Sequence, residues 1–289
     1  MRVMDEAVKE ELAKRLHKIE EHLSGDVAFF YGYIDTGLIK PFRDFIEKMA
    51  ADANAKKRLL FFVNTPGGSA EAVEKMVEII RQHYSQVFFV VPDVAYSAGT
   101  ILCMAGDRIY MDYASALGPI DPQVHNGKEW VPARGYLDKV EAFLEKSRKG
   151  ILTNAEFLML QNQDLAVLAR YEQTCDLTVT LLKEWLVKYK FKNWHVHHTD
   201  PKKKGQKVTK AEKQERAEEI AKLLGSNKVW HSHGRMIGPD TLRRVLRLKI
   251  DDYSRDVRLQ PMIRSYNDLL TDYIVRNQIP AFLHSRTFF

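Results

Sequence analysis

Two short runs of the chain, Leu59–Val63 and Val87–Val91, are apolar at every position. A strand turns alternate side chains to opposite faces, so a run with no polar face must be covered on both sides. Parallel sheets flanked by helices meet that condition. Each run leads into small residues and then a helical pattern. After the first, Ala72, Val73, Met76, Val77 and Ile80 share one face of 70–83; after the second, a helix is expected over 97–106. Upstream, residues 5–23 place Val8, Leu12, Leu16, Ile19 and Leu23 at helical spacing, Val27–Ile34 reads as a strand, and 37–53 reads as a helix. Short strands are expected near Arg108–Met111 and Ala116–Ile120. Strand and helix alternate over the first 120 or so residues, which defines an α/β fold with a mostly parallel sheet.

From about Pro132 the pattern changes to long helices, expected at 135–148, 154–190, 209–224, 240–248 and 261–277. The organisation read from this is an N-terminal helix (1–24), a core (25–150), a helical arm (151–234) and a return to the core with C-terminal helices (235–289). The weakest stretch, His195–Gly205, is polar and interrupted by Asp200-Pro201.

The 289 residues, 45% hydrophobic and 28% charged, suit a soluble globular protein. The apolar runs are too short to cross a bilayer, and Met1–Ser24 alternates charge with apolar residues, unlike a secretory leader. The expected location is cytoplasmic, with peripheral attachment to a membrane left open. Cys103 and Cys175 are the only cysteines and lack metal-ligand spacing, so both are expected buried and reduced. Much of the +6 net charge sits in Lys202-Lys203-Lys204, Lys207, Lys210, Lys213 and Arg216. Without interleaved aromatic residues this run reads as a solvated loop and helix face, and nucleic acid is not an expected partner.

The chemistry is concentrated in Asn64-Thr65-Pro66-Gly67-Gly68-Ser69 and Ala95-Tyr96-Ser97-Ala98-Gly99-Thr100. Both lie where a parallel strand ends and a helix starts, the place where α/β sheets build their sites. Paired glycines leave their amides bare, and amides at a helix N-terminus are unpaired and partly positive. Such donors stabilise an oxyanion, one of them by about 3–4 kcal/mol. Taken singly, Ser97 is also an ordinary helix cap and Gly67-Gly68 an ordinary turn. The two together on successive strand–helix units point to acyl transfer.

The series N-T-P-G-G-S, Y-S-A-G-T and A-L-G-P-I-D-P-Q (residues 116–123) resembles the Clp-protease class of serine peptidases. Within it the chain looks most like the serine dehydrogenase proteinase family, related to signal peptide peptidase A. The likeness covers about 25–125 and returns weakly at Arg235–Ile250. It implies a ClpP/crotonase-type core of repeated strand-strand-helix units with a long helical elaboration after about residue 130. It also implies Ser97 as nucleophile and Gly67, Gly68 and the Ala98 amide as oxyanion hole. Clp protease carries a histidine just beyond the strand that here ends at Gly118-Pro119-Ile120-Asp121, and this chain has none there; His125 is the nearest. Signal-peptide-peptidase-like members use a lysine, and Lys139 stands at a suitable distance. A place at the edge of a buried face of 135–148 (Tyr136, Leu137, Val140, Phe143, Leu144), in the helix's first turn, would lower its pKa toward that of a general base. His125 and His233 are alternative bases, and Asp121 is a candidate to orient one.

His195, His197, His198, His231 and His233, with Trp194 and Trp230, invite a zinc reading, but no Cys, Asp or Glu completes a ligand spacing. Neither metal nor cofactor is expected. The leading function is a serine endopeptidase acting on unfolded or membrane-derived polypeptide. Without a G-x-x-x-x-G-K-[ST] motif, energy coupling would need a separate ATPase or membrane-protein partner. A catalytically silent scaffold or peptide-binding oligomer, and a crotonase-like acyl-CoA enzyme, are the alternatives. Leu158, Leu160, Leu165, Val167 and Leu168 exceed what a small core can cover, so homo-oligomers are expected.

Overall fold

The computed structural model describes residues 3–125, 130–197 and 202–289. The chain opens with helix α1 (Val3–Leu23) and strand β1 (Asp26–Gly32). After a 3-10 turn capped by the Asp35 carboxylate come α2 (Ile39–Ala50), β2 (Arg58–Asn64), α3 (Ala70–His83) and β3 (Gln86–Val91). Then follow β4 (Val94–Ala95), α4 (Ala98–Met104), β5 (Arg108–Met111), β6 (Ala116–Leu117), β7 (Gln123–His125) and β8 (Trp130–Pro132). The second half supplies α5 (Ala133–Arg148), α6 (Asn154–Gln161), α7 (Leu165–Trp185), α8 (Lys210–Leu224), α9 (Asn227–Trp230), α10 (Pro239–Arg244), β9 (Asp251–Asp252), α11 (Leu259–Arg276) and β10 (Ala281–Ser285).

The main sheet runs β10-β1-β2-β3-β5-β9, parallel except for β10. Alternate residues of each central strand feed two cores. Phe30, Phe61 and Phe89 face α2, α3 and α4, while Phe29, Phe62 and Val90 face α1 and α11. The two-faced apolar runs are thus the middle layer of a three-layer α/β sandwich.

Several elements depart from expectation for local reasons. The helix expected over 154–190 is two helices, because Asp164 accepts hydrogen bonds from the Ala166 and Val167 amides and starts α7 afresh. A π-helical turn, Leu186–Lys190, then follows α7. The helix expected over 240–248 stops at Arg244, and Arg247 takes a left-handed φ of 46°. The C-terminal strand β10 was not expected; it pairs antiparallel with β1 and closes that edge of the sheet. The segment 151–234 divides: α6 buries no residue, whereas Leu182, Trp185, Ile220 and Leu224 of α7 and α8 enter the core beside α4.

The basic run is tethered to the body. Lys213 Nζ donates to the Phe191 carbonyl at 2.6 Å, Arg216 to that of Leu246 at 2.5 Å, and Lys203 pairs with Glu212. Both cysteines are buried and free, and burial pushes both thiols up. Among the described residues no helix is long and apolar enough to cross a membrane.

Candidate active site

A second ladder forms just past the carboxyl ends of the main strands. Ile34 bridges Gly68, Thr65 bridges Ala95, β4 pairs with β6, and Leu117 bridges Ile237. This ladder brings the two glycine- and serine-bearing segments side by side.

Ser97 has φ 50° and ψ −113°, a conformation costing a non-glycine residue about 1–3 kcal/mol. It occupies the N-cap position of α4, yet its hydroxyl makes no capping bond. All seven residues of α4 are buried, so the helix start is held rigidly from behind. Thr100 reinforces it: its hydroxyl lies 2.9 Å from the Ala95 carbonyl oxygen and 2.8 Å from that of Gly118, and it accepts from the Gly118 amide. Sequence reasoning gave Thr100 no role, although it closes the same motif as Ser97.

Gly67 lies directly against the serine. A β-carbon on Gly67 would stand 2.9 Å from Ser97 Cβ and 3.0 Å from the Tyr96 carbonyl oxygen, and φ is 118°. The Gly67 amide is already committed, donating to Thr65 Oγ1 at 3.1 Å. At Gly68 (φ 149°), a β-carbon would overlap the Ile34 carbonyl. The bonds of that bridge run from the Ile34 amide to the Gly67 carbonyl and from the Ser69 amide to the Ile34 carbonyl, bypassing the Gly68 amide. Among the described residues neither the Gly68 nor the Ala98 amide has a hydrogen-bond acceptor. Two backbone donors therefore remain in the segments that the approach of Gly67 to Ser97 brings together.

Lys139 sits differently on its helix from the expectation. Lys139 is exposed, with Nζ 5.1 Å from the Phe143 ring centroid. The helix begins at Ala133, so Lys139 lies in its second turn rather than its first, beyond the reach of the end dipole. Of the face expected to be buried, only Phe143 is; Tyr136 is 39% exposed. No hydrogen bond joins Lys139 to Ser97 among the described residues. His125 is exposed on β7, opposite Trp130 in register.

His233 is placed by Asp121. Its Nδ1 lies 2.8 Å from Asp121 Oδ1, and Gln123 Nε2 donates to Asp121 Oδ2 at 3.0 Å. Asp121 is fully buried, whereas the His233 side chain is 31% exposed. A carboxylate at Nδ1 selects the tautomer with the proton there and leaves Nε2 as the basic nitrogen. The other histidines do not join this group. His197 is buried against Trp194, with Nε2 3.2 Å from Glu212 Oε1. His198, with Asp200 and Pro201, lies outside the described residues. Among the described residues no three His, Cys, Asp or Glu side chains gather as a metal-ligand group.

Ser97 is thus held in a strained backbone conformation at the start of a buried helix, at a strand-to-helix turn of an α/β fold. Residues 47–202, more than half of the chain, match the model of the ClpP-like SDH-type serine proteinases, and the chain belongs to that family. The family is one of serine proteinases with a ClpP-like fold. It is also similar to two uncharacterized proteins of Methanocaldococcus jannaschii. One is 33% identical over 87 residues (30% of this chain, 27% of the relative), the other 35% identical over 68 (24% of each). The matches thus span about a quarter of the length of those relatives. Among solved structures, the chain is similar to the 1510-N membrane-bound stomatin-specific protease bound to a substrate peptide. That similarity is 16% identity and a TM-score of 0.47, covering 81% of this chain and 76% of that one. A second structure of that protease gives 15% identity and 0.45, covering 80% of each chain.

Proposed function

We propose that the protein is an endopeptidase that cleaves polypeptides through an acyl-enzyme on Ser97. The observation carrying this reading is the uncapped Ser97 hydroxyl at a close approach to Gly67, with the Gly68 and Ala98 amides lacking acceptors among the described residues. In the reaction Ser97 Oγ attacks the peptide carbonyl carbon while a base takes its proton. The two amides hold the oxyanion, each worth about 3 kcal/mol. Collapse breaks the C–N bond, the protonated base supplies the proton to the leaving amine, and water then hydrolyses the ester by the same route. Gly67 serves here as the close-packing neighbour of Ser97 rather than as a donor.

The resemblance assigns the base to Lys139, whose neutral amine would accept the Ser97 proton. The Asp121–His233 contact favours a second assignment, in which His233 Nε2 is the base and Asp121 its orienting partner. Replacing each base separately in the full chain decides between them. Loss of turnover in Lys139→Ala with His233→Gln active supports the lysine, and the reverse supports the histidine.

We assign the substrate as unfolded polypeptide and the active form as a homo-oligomer. Supporting assembly, Phe157, Leu158 and Met159 of α6 are each more than half exposed. Cytoplasmic location, peripheral membrane association and a separate ATPase or membrane-protein partner belong to the same reading. A fluorophosphonate probe tests its centre: labelling of the wild type and not of Ser97→Ala is expected. A folded wild type that stays unlabelled would point to a silent scaffold, and acyl-CoA turnover to crotonase-type chemistry.

A further inference from the structure

A cavity of about 470 Å3 opens between the first turn of α3, strand β7 and one face of α7. Its walls fix how near it lies to Ser97. Glu71 follows Gly67 by four residues, so the two Cα atoms are at most about 14 Å apart. On the other wall, Gln123 is hydrogen-bonded to Asp121. Four or five residues of extended peptide, at about 3.3 Å each, cover that span.

The lining mixes apolar surface, Val124 and Leu177 included, with charged and polar side chains. Arg170, Gln173 and Thr174 stand on one helical face with Leu177, and Glu71, Gln123 and His125 line the other walls. The two charges differ in how they are satisfied. Glu71 lies in the first turn of α3 and accepts the Ser69 hydroxyl at 2.6 Å. The Arg170 guanidinium has neither ion pair nor hydrogen bond among the described residues, and it is exposed. No ion pair joins Arg170 to Glu71, so the donor fork of the arginine is open toward the cavity's contents.

Resting on the peptidase reading, we propose that this cavity is a substrate subsite in which Arg170 receives a carboxylate of the peptide. That carboxylate is an acidic side chain or the chain's own C-terminus. Arginine binds a carboxylate through paired N–H donors, and the Gln173 amide can supply a further donor beside it, while the Thr174 hydroxyl is spent on the Arg170 carbonyl at 2.9 Å. Glu71 opposes the same carboxylate from the facing wall and sets the limit of the preference.

The test compares unstructured amidated peptides that carry one Glu, stepped through the sequence, with the same peptides carrying Gln. A neutral peptide with a free C-terminus is the third probe. Binding is read by fluorescence anisotropy on full-length Ser97→Ala protein, and cleavage on the serine-intact protein. At one position the Glu peptide, or the free-carboxylate peptide, should bind about tenfold tighter than its neutral counterpart. Arg170→Ala should bring that ratio to about one, Arg170→Glu should invert it, and Glu71→Gln should raise it. A ratio of one or less before substitution, or one that Arg170→Ala leaves unchanged, overturns the proposal. Preferential binding without any cleavage by the serine-intact protein would keep the subsite and reject the peptidase reading instead.

Discussion

Asp121 and His233 face each other in the register that the Leu117–Ile237 bridge establishes. Four residues forward from Leu117 is Asp121, and four residues back from Ile237 is His233. The ladder that ends β6 therefore delivers an aspartate and a histidine, far apart in sequence, to the end of the sheet where Ser97 lies. Where the resemblance to Clp protease implies a histidine at the end of this strand, the chain has Asp121, and a histidine comes from the facing segment.

This exchange can be tested at the aspartate. If His233 is the base, Asp121→Asn lowers kcat by about a hundredfold or more, because the amide no longer favours a proton on Nδ1. If Lys139 is the base, the same change leaves kcat within a few-fold while Lys139→Ala abolishes turnover. Steady-state kinetics of the two variants on one peptide separates the outcomes.

Gly67→Ala should destabilise the fold by about 2–3 kcal/mol, since the new methyl group meets Ser97 Cβ at 2.9 Å in a backbone conformation that resists a side chain. Loss of fluorophosphonate labelling should accompany it. Urea denaturation checks the first effect; an unchanged midpoint would contradict the contact.

Ser97→Gly should inactivate the protein and stabilise it by about 1 kcal/mol. The φ of 50° and ψ of −113° suit glycine, and the hydroxyl contributes no capping bond that would be lost. The comparison with Ser97→Ala, which keeps the strain, isolates the backbone effect in thermal unfolding.

His284 predicts an acid limit. Its ring is 2% exposed, with Nδ1 2.7 Å from the Tyr266 hydroxyl. Burial, helped by the charge of Lys9, lowers its pKa to about 4 from an ordinary 6.5. Between these values the unfolded chain takes up a proton that the folded one refuses, so stability falls as pH drops from 6.5 toward 4. The loss approaches about 3 kcal/mol below that range. Denaturation midpoints across pH 4–7 should slope more steeply in the wild type than in His284→Gln, whose amide does not titrate; parallel slopes would refute the assignment.

The middle layer is legible from local pattern, because a run without a polar face has one stable environment and period-two alternation is local. The sequence also marked Ser97 and Gly67-Gly68, since a helix start and a glycine pair after a strand are local signals. Tertiary structure decided the rest. Whether the Gly67 amide was free depended on Thr65 folding back onto it. The exposure of Lys139 depended on where α5 begins and what packs on it, and helical spacing alone says only which residues share a face. Strand β10 was illegible because a short strand declares itself only through its neighbour, here β1 at the far end of the chain. The pairing of Asp121 with His233 was hidden for the same reason: a hydrogen bond between residues 112 positions apart leaves no trace in local periodicity and exists only once the two segments share a ladder.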